Sequence, residues 1–459
     1  MPLTLAKSEK VLCLFFLLSL LFLNPVVRGD GVGYYAFARA LVVQHDLHFE
    51  KDWRAGYPNL AWGNPDGKGN VNPLQYTTTG HLDNYFAIGP AILWAPFLVV
   101  AHLGVLSANA LGAHVSADGF SRPYLLAMAL GTALYGFLSL LFSLHLARKY
   151  FEERWALLAT LAIWLASSLP FYIYCEPSWS HAHSAFAVAL FVWYWDRTRP
   201  GRTYPQWAAL ALCAGLLLNV YYINAVFLLV PILESVIRFS RGLRSQAGDR
   251  RVVQYNLAGE ILFAVVAGLA LLPTFVTKYV IYGTAFHSGY LPLGRWNWTS
   301  PRLLGVLFSS THGLMTWTPI LIPALLGILL LPKRVAGLGK YLLVACSVFY
   351  FVIASYPFWD GVTSFGNRYF ISFTPAFVLG LACALEYFAK LWRNRRASLV
   401  RATVIVALVI LWNIGFIFQF ATHMIPERGP VPWREMVYNQ FRIVPRDLPL
   451  AVWRHLTGR

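Results

Sequence analysis

Three short runs of this chain carry side chains able to do chemistry. The first is Arg28-Gly29-Asp30-Gly31-Val32-Gly33-Tyr34-Tyr35, in which a carboxylate directly follows an apolar run. A carboxylate held at a low-dielectric boundary can take the proton of an incoming hydroxyl, because partial burial tunes its basicity. The plainer alternative is an Asp that only caps the next helix. The second run is Glu176-Pro177-Ser178-Trp179-Ser180-His181-Ala182-His183. Glu176, His181 and His183 are residue types that ligate a divalent metal. Residues two apart on a helix diverge by ~200°, so both histidines reach one ion only where the chain is not yet helical. Otherwise one of them faces a phosphate or a carboxylate. The third run is Trp359-Asp360-Gly361-Val362-Thr363-Ser364-Phe365-Gly366-Asn367-Arg368-Tyr369. Arg368 offers a fork of donors that suits phosphate oxygens; the alternative is a structural Asp360–Arg368 pair. A weaker cluster at 283–302 holds His287, Tyr290, Arg295, Trp296 and Trp298. Such a set can bind a sugar, although interfacial belts use the same aromatics. Asn297-Trp298-Thr299 is a glycosylation sequon, which matters only in a secretory pathway.

The elements that must position these residues are apolar. The 459 residues are 58% hydrophobic and 12% charged, against about 25% charged in a typical soluble domain. A water-soluble globule cannot hide that much apolar surface, and a disordered chain would not carry it. At ~20 residues per crossing the chain has room for about a dozen membrane helices. Spanning runs are 11–27, 121–146, 155–172, 181–196, 206–220, 221–238, 256–282, 314–331, 341–358, 370–388 and 400–421. The run 85–106 is ambiguous, since it contains Gly89, Pro90 and Pro96.

Charge placement decides the topology. With Lys7 and Lys10 in the cytoplasm and 85–106 not crossing, the basic loops at 148–154, 197–202, 238–251, 333–340 and 390–401 all fall on the inner side. Together with the N-terminus they hold 21 of the 37 Lys and Arg residues. The expected fold is therefore an all-α polytopic membrane protein of about eleven crossings. Residues 85–106 lie in the outer interface or re-enter, and a large first external loop (28–120) carries amphipathic interface helices. The apolar spacing of Tyr34, Phe37, Ala38, Leu41 and Val42 predicts one such helix over 33–49, and 52–84 reads as loop. Residues 1–421 form the transmembrane catalytic domain, and 422–459, with six Arg, form an external C-terminal tail. The first run is read as a retained helix, because Val26-Val27-Arg28-Gly29 is a poor cleavage site for a signal peptide. The net charge of +17 is explained by membrane anchoring, so nucleic acid is not an expected partner. The five cysteines form no CxxC pair, so neither a disulfide framework nor a thiolate zinc site is expected.

The chain has no phosphate-binding P-loop, no dinucleotide fingerprint and no soluble domain for a nucleotide-bound donor. An enzyme of this kind needs a substrate carried by a lipid. The pattern resembles the GT-C superfamily of membrane glycosyltransferases, and within it the protein mannosyltransferase-like and lipid A aminoarabinose transferase-like branch. The residues carrying the likeness are Asp30 with Tyr34-Tyr35-Ala36, Arg39 and His45-Asp46-Leu47, then Tyr85-Phe86-Ala87-Ile88-Gly89-Pro90 and Ala95-Pro96-Phe97. Glu176–His183 and Ser364–Tyr369 are similar to motifs of bacterial members. The resemblance implies transfer of a sugar from a polyprenyl-phosphate donor to a hydroxyl on a lipid, glycan or protein acceptor. The reaction would take place at the external face of the cytoplasmic membrane, with Asp30 in the catalytic acidic position. Tyr34, Arg39, Glu176, His181, His183, His287, Arg295, Asp360 and Arg368 would contact substrate or phosphate. A divalent metal is the one candidate cofactor, on Glu176, His181 and His183. The sequence departs from the family pattern where Gly31 follows Asp30 in place of a second acid, and where Asn219-Val220-Tyr221-Tyr222-Ile223-Asn224 stands in place of an Arg. The competing reading is a transporter, flippase, ligase or polymerase for lipid-linked glycans.

Overall fold

The structure is a computed structural model that describes residues 5–56, 76–244, 250–287, 292–335, 337–391 and 395–457. Tyr290 and most of the 52–84 loop lie outside the described residues. The described chain is all-helical apart from one isolated bridge between Tyr76 and Leu82. Its first half contains α1 (Lys7–Ser19), α2 (Gly31–Arg39), α3 (Glu50–Gly56), α4 (Gly89–Ala110), α5 (Arg122–Arg148), α6 (Glu153–Leu165), α7 (His181–Thr198), α8 (Tyr204–Val220) and α9 (Leu229–Arg244). The second half contains α10 (Arg250–Ala270), α11 (Leu272–Tyr282), α12 (Leu303–Phe308), α13 (Leu314–Trp317), α14 (Leu321–Arg334), α15 (Leu338–Ser355), α16 (Thr374–Leu391), α17 (Arg395–Ala421), α18 (Trp433–Arg442) and α19 (Val444–Thr457).

Seven stretches among the described residues are long and apolar enough to cross a bilayer. The protein is thus a multi-pass membrane protein. The expected count of about eleven differs from this because α1, α6, α8 and α14 have only 13, 13, 17 and 14 residues and the 18-residue α7 is not apolar enough, whereas α4 is among the seven. Two of these apolar runs leave α-geometry before they end, in the 3₁₀ turn Leu20–Phe22 and the π turn Phe171–Cys175, and the run after α8 opens in the 3₁₀ turn Tyr222–Leu228. The irregular turns sit together at one end of the bundle.

The other end is basic. Ser8 Oγ donates to Glu153 Oε1 at 2.6 Å, and Glu9 takes Arg148 at 2.7 Å and His145 at 3.0 Å. Asp196 accepts from Lys149 at 2.6 Å and from the Tyr150 hydroxyl at 2.7 Å. Glu234 holds Arg202 and Arg238 at 3.0 and 2.9 Å. Glu386 pairs with Arg334, and with Lys390 at 2.9 Å. Five carboxylates therefore gather the N-terminus and the loops that the charge pattern placed on one side.

Two expectations for the first loop change. Every residue of α2 is buried, so it is no surface helix. Phe86, the Gly119-Phe120 turn and α4 cover it, with the Tyr35 hydroxyl donating to Gly119 O at 2.6 Å. From Gly89 on, the run 85–106 lies in one continuous helix, α4, with the length and apolarity to cross. Its contacts, however, reach only half of α5: Tyr135 Oη donates to Leu93 O, and His102 Nδ1 meets Tyr124 Oη at 2.6 Å. Since Tyr124 starts α5 and Arg148 ends it, α4 flanks the half of α5 away from the basic end.

Candidate active site

The turn that holds Asp30 is shaped by what it must avoid. Gly29 has φ +60°, and a Cβ there would lie 2.5 Å from the Trp179 ring. A Cβ on Gly31 would lie 1.9 Å from Ser178 Oγ. Only glycine satisfies both positions, which accounts for the missing second acid after Asp30. The turn is pinned to the facing loop by Trp179 Nε1, which donates to Arg28 O at 3.0 Å. Asp30 starts α2, yet its side chain makes no capping bond. Its Oδ2 instead accepts from Arg368 Nη1 at 2.8 Å, across 338 positions of sequence.

Arg368 opens the 3₁₀ turn Arg368–Phe373 that leads into α16. Its guanidinium lies 4.4 Å over the Trp179 ring, a cation–π contact. Its Nε is buried and carries no hydrogen bond. Beside this pair, Arg28 Nε donates to Glu176 Oε1 at 2.6 Å, while Glu176 Oε2 is buried and unbonded. Burial pushes the Glu176 carboxyl up to about 7 against the pull of the Arg28 guanidinium.

These groups line one cavity of about 1790 Å³ at the end of the bundle opposite the basic cluster. Its polar wall is formed by Arg28, Asp30, Glu176, Thr363, Arg368 and, from the tail, His423, Glu427 and Arg428. Arg428 Nε donates to Thr363 Oγ1 at 2.8 Å. The lining also includes apolar side chains, Leu218, Ile223, Val226, Phe275, Phe286 and Ile353, and the aromatic ones of Tyr34, Tyr172, Trp179, Tyr221, Tyr356 and Tyr369.

The structure sorts the residues named from sequence. Asp30, Tyr34, Glu176, His181, His287 and Arg368 all line the cavity. His181 packs edge-on against Tyr172 at 4.8 Å, and His287 stacks on Tyr282 at 3.7 Å. Four others lie elsewhere. Arg39 is buried in a two-pronged pair with Asp52, at 2.7 and 2.5 Å, and holds the first loop together. His183 turns the other way from His181, as helical spacing requires, and packs on Trp94 at 4.8 Å. Asp360 shapes its own turn, with Oδ1 accepting from Val362 N–H and its carbonyl meeting His312 Nδ1 at 2.8 Å; it does not pair with Arg368. Arg295 is exposed in the short turn Leu293–Arg295 and is not among the cavity-lining residues.

The divergence of His181 and His183 also bears on the metal. Among the described residues no three His, Cys, Asp or Glu side chains come together to hold an ion. Glu176, His181 and His183 do not come together as one ligand set, and no step below uses a metal.

No protein-family model matches the chain, and no curated protein does. Solved structures do match, at the level of the fold. The apo crystal structure of the oligosaccharyltransferase from Archaeoglobus fulgidus aligns with a TM-score of 0.55 and 16% identity, over 91% of this chain and 56% of its own. The same archaeal protein, AglB, in complex with an inhibitory peptide and a dolichol-phosphate, aligns at 0.53 and 14%, over 91% and 55%. ArnT from Cupriavidus metallidurans bound to undecaprenyl phosphate aligns at 0.51 and 15%, over 98% of this chain and 73% of that one. A further structure of the archaeal protein is a complex with Zn and sulfate. The present chain spans about half the length of the archaeal protein.

Proposed function

We propose that this chain is a membrane glycosyltransferase. It moves a sugar from a polyprenyl-phosphate donor to an acceptor hydroxyl, with inversion at the anomeric carbon. The observation that carries the reading is the Asp30–Arg368 pair, which lines one cavity together with further polar side chains and with apolar ones. The apolar lining suits a prenyl chain and the polar lining suits an acceptor. The neighbours of similar fold that hold dolichol-phosphate and undecaprenyl phosphate support the donor class.

Asp30 takes the proton of the acceptor hydroxyl while that oxygen bonds to the anomeric carbon. The bond from that carbon to the phosphate oxygen breaks, and its electron pair leaves with the polyprenyl phosphate. Arg368 serves both ends of this displacement. In the resting state one of its amines neutralises Asp30, and its unbonded Nε is a spare donor for a phosphate oxygen. As phosphate draws the guanidinium, Asp30 is released to act as base. A positioned base contributes about 10²–10⁴-fold, and fixed donors to the leaving group are worth a similar factor in a site that excludes water. The cavity belongs at the external face of the cytoplasmic membrane, because the opposite end gathers the basic loops.

The test is incubation of the reconstituted protein with a panel of radiolabelled polyprenyl-phosphate sugars and hydroxylated acceptors. Labelled acceptor together with free polyprenyl phosphate is the expected result. A donor that reaches the opposite leaflet intact would make the protein a transporter instead.

A further inference from the structure

The C-terminal tail contributes His423, Glu427 and Arg428 to the cavity, but its two helices have no place in the chemistry above. Their position is specific. Gln440 of α18 accepts at Oε1 from Gln419 Nε2 at 2.8 Å and donates to Trp412 O at 3.1 Å. Trp433, at the other end of α18, packs against Phe416. Both ends of α18 thus touch the same two turns of α17, so α18 crosses α17 rather than running along it. At 1.5 Å per residue, Trp412 to Gln419 lie about 3–14 Å before the last residue of α17, at the cavity end. Beyond α18, His455 of α19 meets the carbonyl of Leu21 at 3.0 Å, just past the end of α1. The two helices therefore lie against the bundle near its cavity end, the level where the headgroup boundary of a bilayer spanned by α17 falls.

The outward face fits that level. Tyr438, Phe441 and Trp453 are 61%, 69% and 63% exposed, and Val437, Leu450 and Leu456 lie beside them. Arg434, Arg442 and Arg454 are exposed on the same helices and form no ion pair among the described residues. Arg446 differs, since Asp447 takes it at 2.7 Å. Aromatic and aliphatic side chains interleaved with unpaired guanidinium groups match a surface that is apolar beneath and anionic above.

We infer that α18 and α19 dock on the anionic phospholipid headgroups of the leaflet at the cavity end. Chymotrypsin, which cuts after exposed aromatic residues, provides the test. The full-length protein with a C-terminal epitope tag is placed in nanodiscs of phosphatidylcholine alone, or of phosphatidylcholine with phosphatidylglycerol. Tag release is expected to slow roughly tenfold or more in the anionic discs. The protection should fade at high salt and be absent from the combined R434Q, R442Q and R454Q variant. Inorganic phosphate added to the neutral discs should give none. Equal release from the two wild-type discs would overturn the inference, as would protection that survives the three substitutions or high salt. The salt arm needs no mutant and stands even where the variant folds poorly.

Discussion

Both ends of this molecule are held by ion pairs, yet only one end reads as a site. At the basic end Asp196, Glu234 and Glu386 have both carboxylate oxygens bonded, although Arg154 Nε and Arg199 Nη1 are buried there without a partner. Asp196 takes Lys149 and Tyr150, Glu234 takes Arg202, Arg238 and Trp195 Nε1, and Glu386 takes Arg334, Lys390 and the Glu152 amide. At the cavity end the pairs are incomplete. Arg368 keeps a buried Nε without a partner, Glu176 keeps a buried oxygen, and both border open volume. A buried polar group left unbonded costs roughly 1–3 kcal/mol, a cost that a substrate repays. A charge pair alone therefore marks nothing here; an unfinished pair on a cavity wall does.

The largest effect that can break this contrast is at Asp30. Asp30→Asn should lower transfer about 10²–10⁴-fold and leave the thermal midpoint in detergent close to that of the wild type. Glu234→Gln at the basic end should do the reverse. It leaves Arg202, whose side chain is 1% exposed, without its counter-charge, a loss of about 3–5 kcal/mol for a buried pair. The midpoint should fall while turnover per folded molecule holds. Full transfer by the Asn variant in a labelled-sugar assay would erase the distinction between the two ends.

The next effect is at Arg368. A lysine there keeps the charge but loses the planar fork and its stacking on Trp179. Arg368→Lys should cost about 10-fold to 100-fold in kcat/KM for the lipid donor, and Arg368→Gln more, on the scale of a lost leaving-group donor. Steady-state kinetics with the donor varied will check both. A glutamine variant with unchanged kcat/KM would reduce Arg368 to a structural partner of Asp30.

Much of this was legible in the sequence, for identifiable reasons. The gathering of basic loops followed from membrane electrostatics, which act on whole segments. Asp30, Glu176 and Arg368 stood out because charged side chains beside apolar runs are costly. The Asp30–Arg368 bond was not legible, since nothing local links partners 338 positions apart, and the nearer Asp360 offered a simpler match. Arg39 misled for a related reason: its family motif lies on a helix that is buried on all sides, where an arginine serves packing. The aromatic lining from Tyr221 and Tyr222 was hidden because α8 breaks at Tyr221, with φ −159° and no Gly or Pro to announce it. Arg428, Glu427 and His423 went unassigned because a tail read as a separate cap gives no hint that it reaches the cavity.

The smallest effect tests the second unfinished pair. In the folded chain Glu176 titrates near 7, against an ordinary 4.5, because burial disfavours its charge. The fold thus binds this proton more tightly than the unfolded chain does. The stabilisation linked to it is complete below pH 4.5 and is lost as pH rises through about 7. Glu176→Gln keeps the shape and removes the titration. Thermal midpoints measured between about pH 5 and 8 should therefore fall less steeply in the variant than in the wild type, by a few degrees across the range. If donor or acceptor completes the free oxygen, saturating substrate should also shift the wild-type curve further than the variant's. Parallel curves for the two proteins would mean that the Arg28–Glu176 pair is as finished as those at the basic end, and the site would shrink to Asp30 and Arg368.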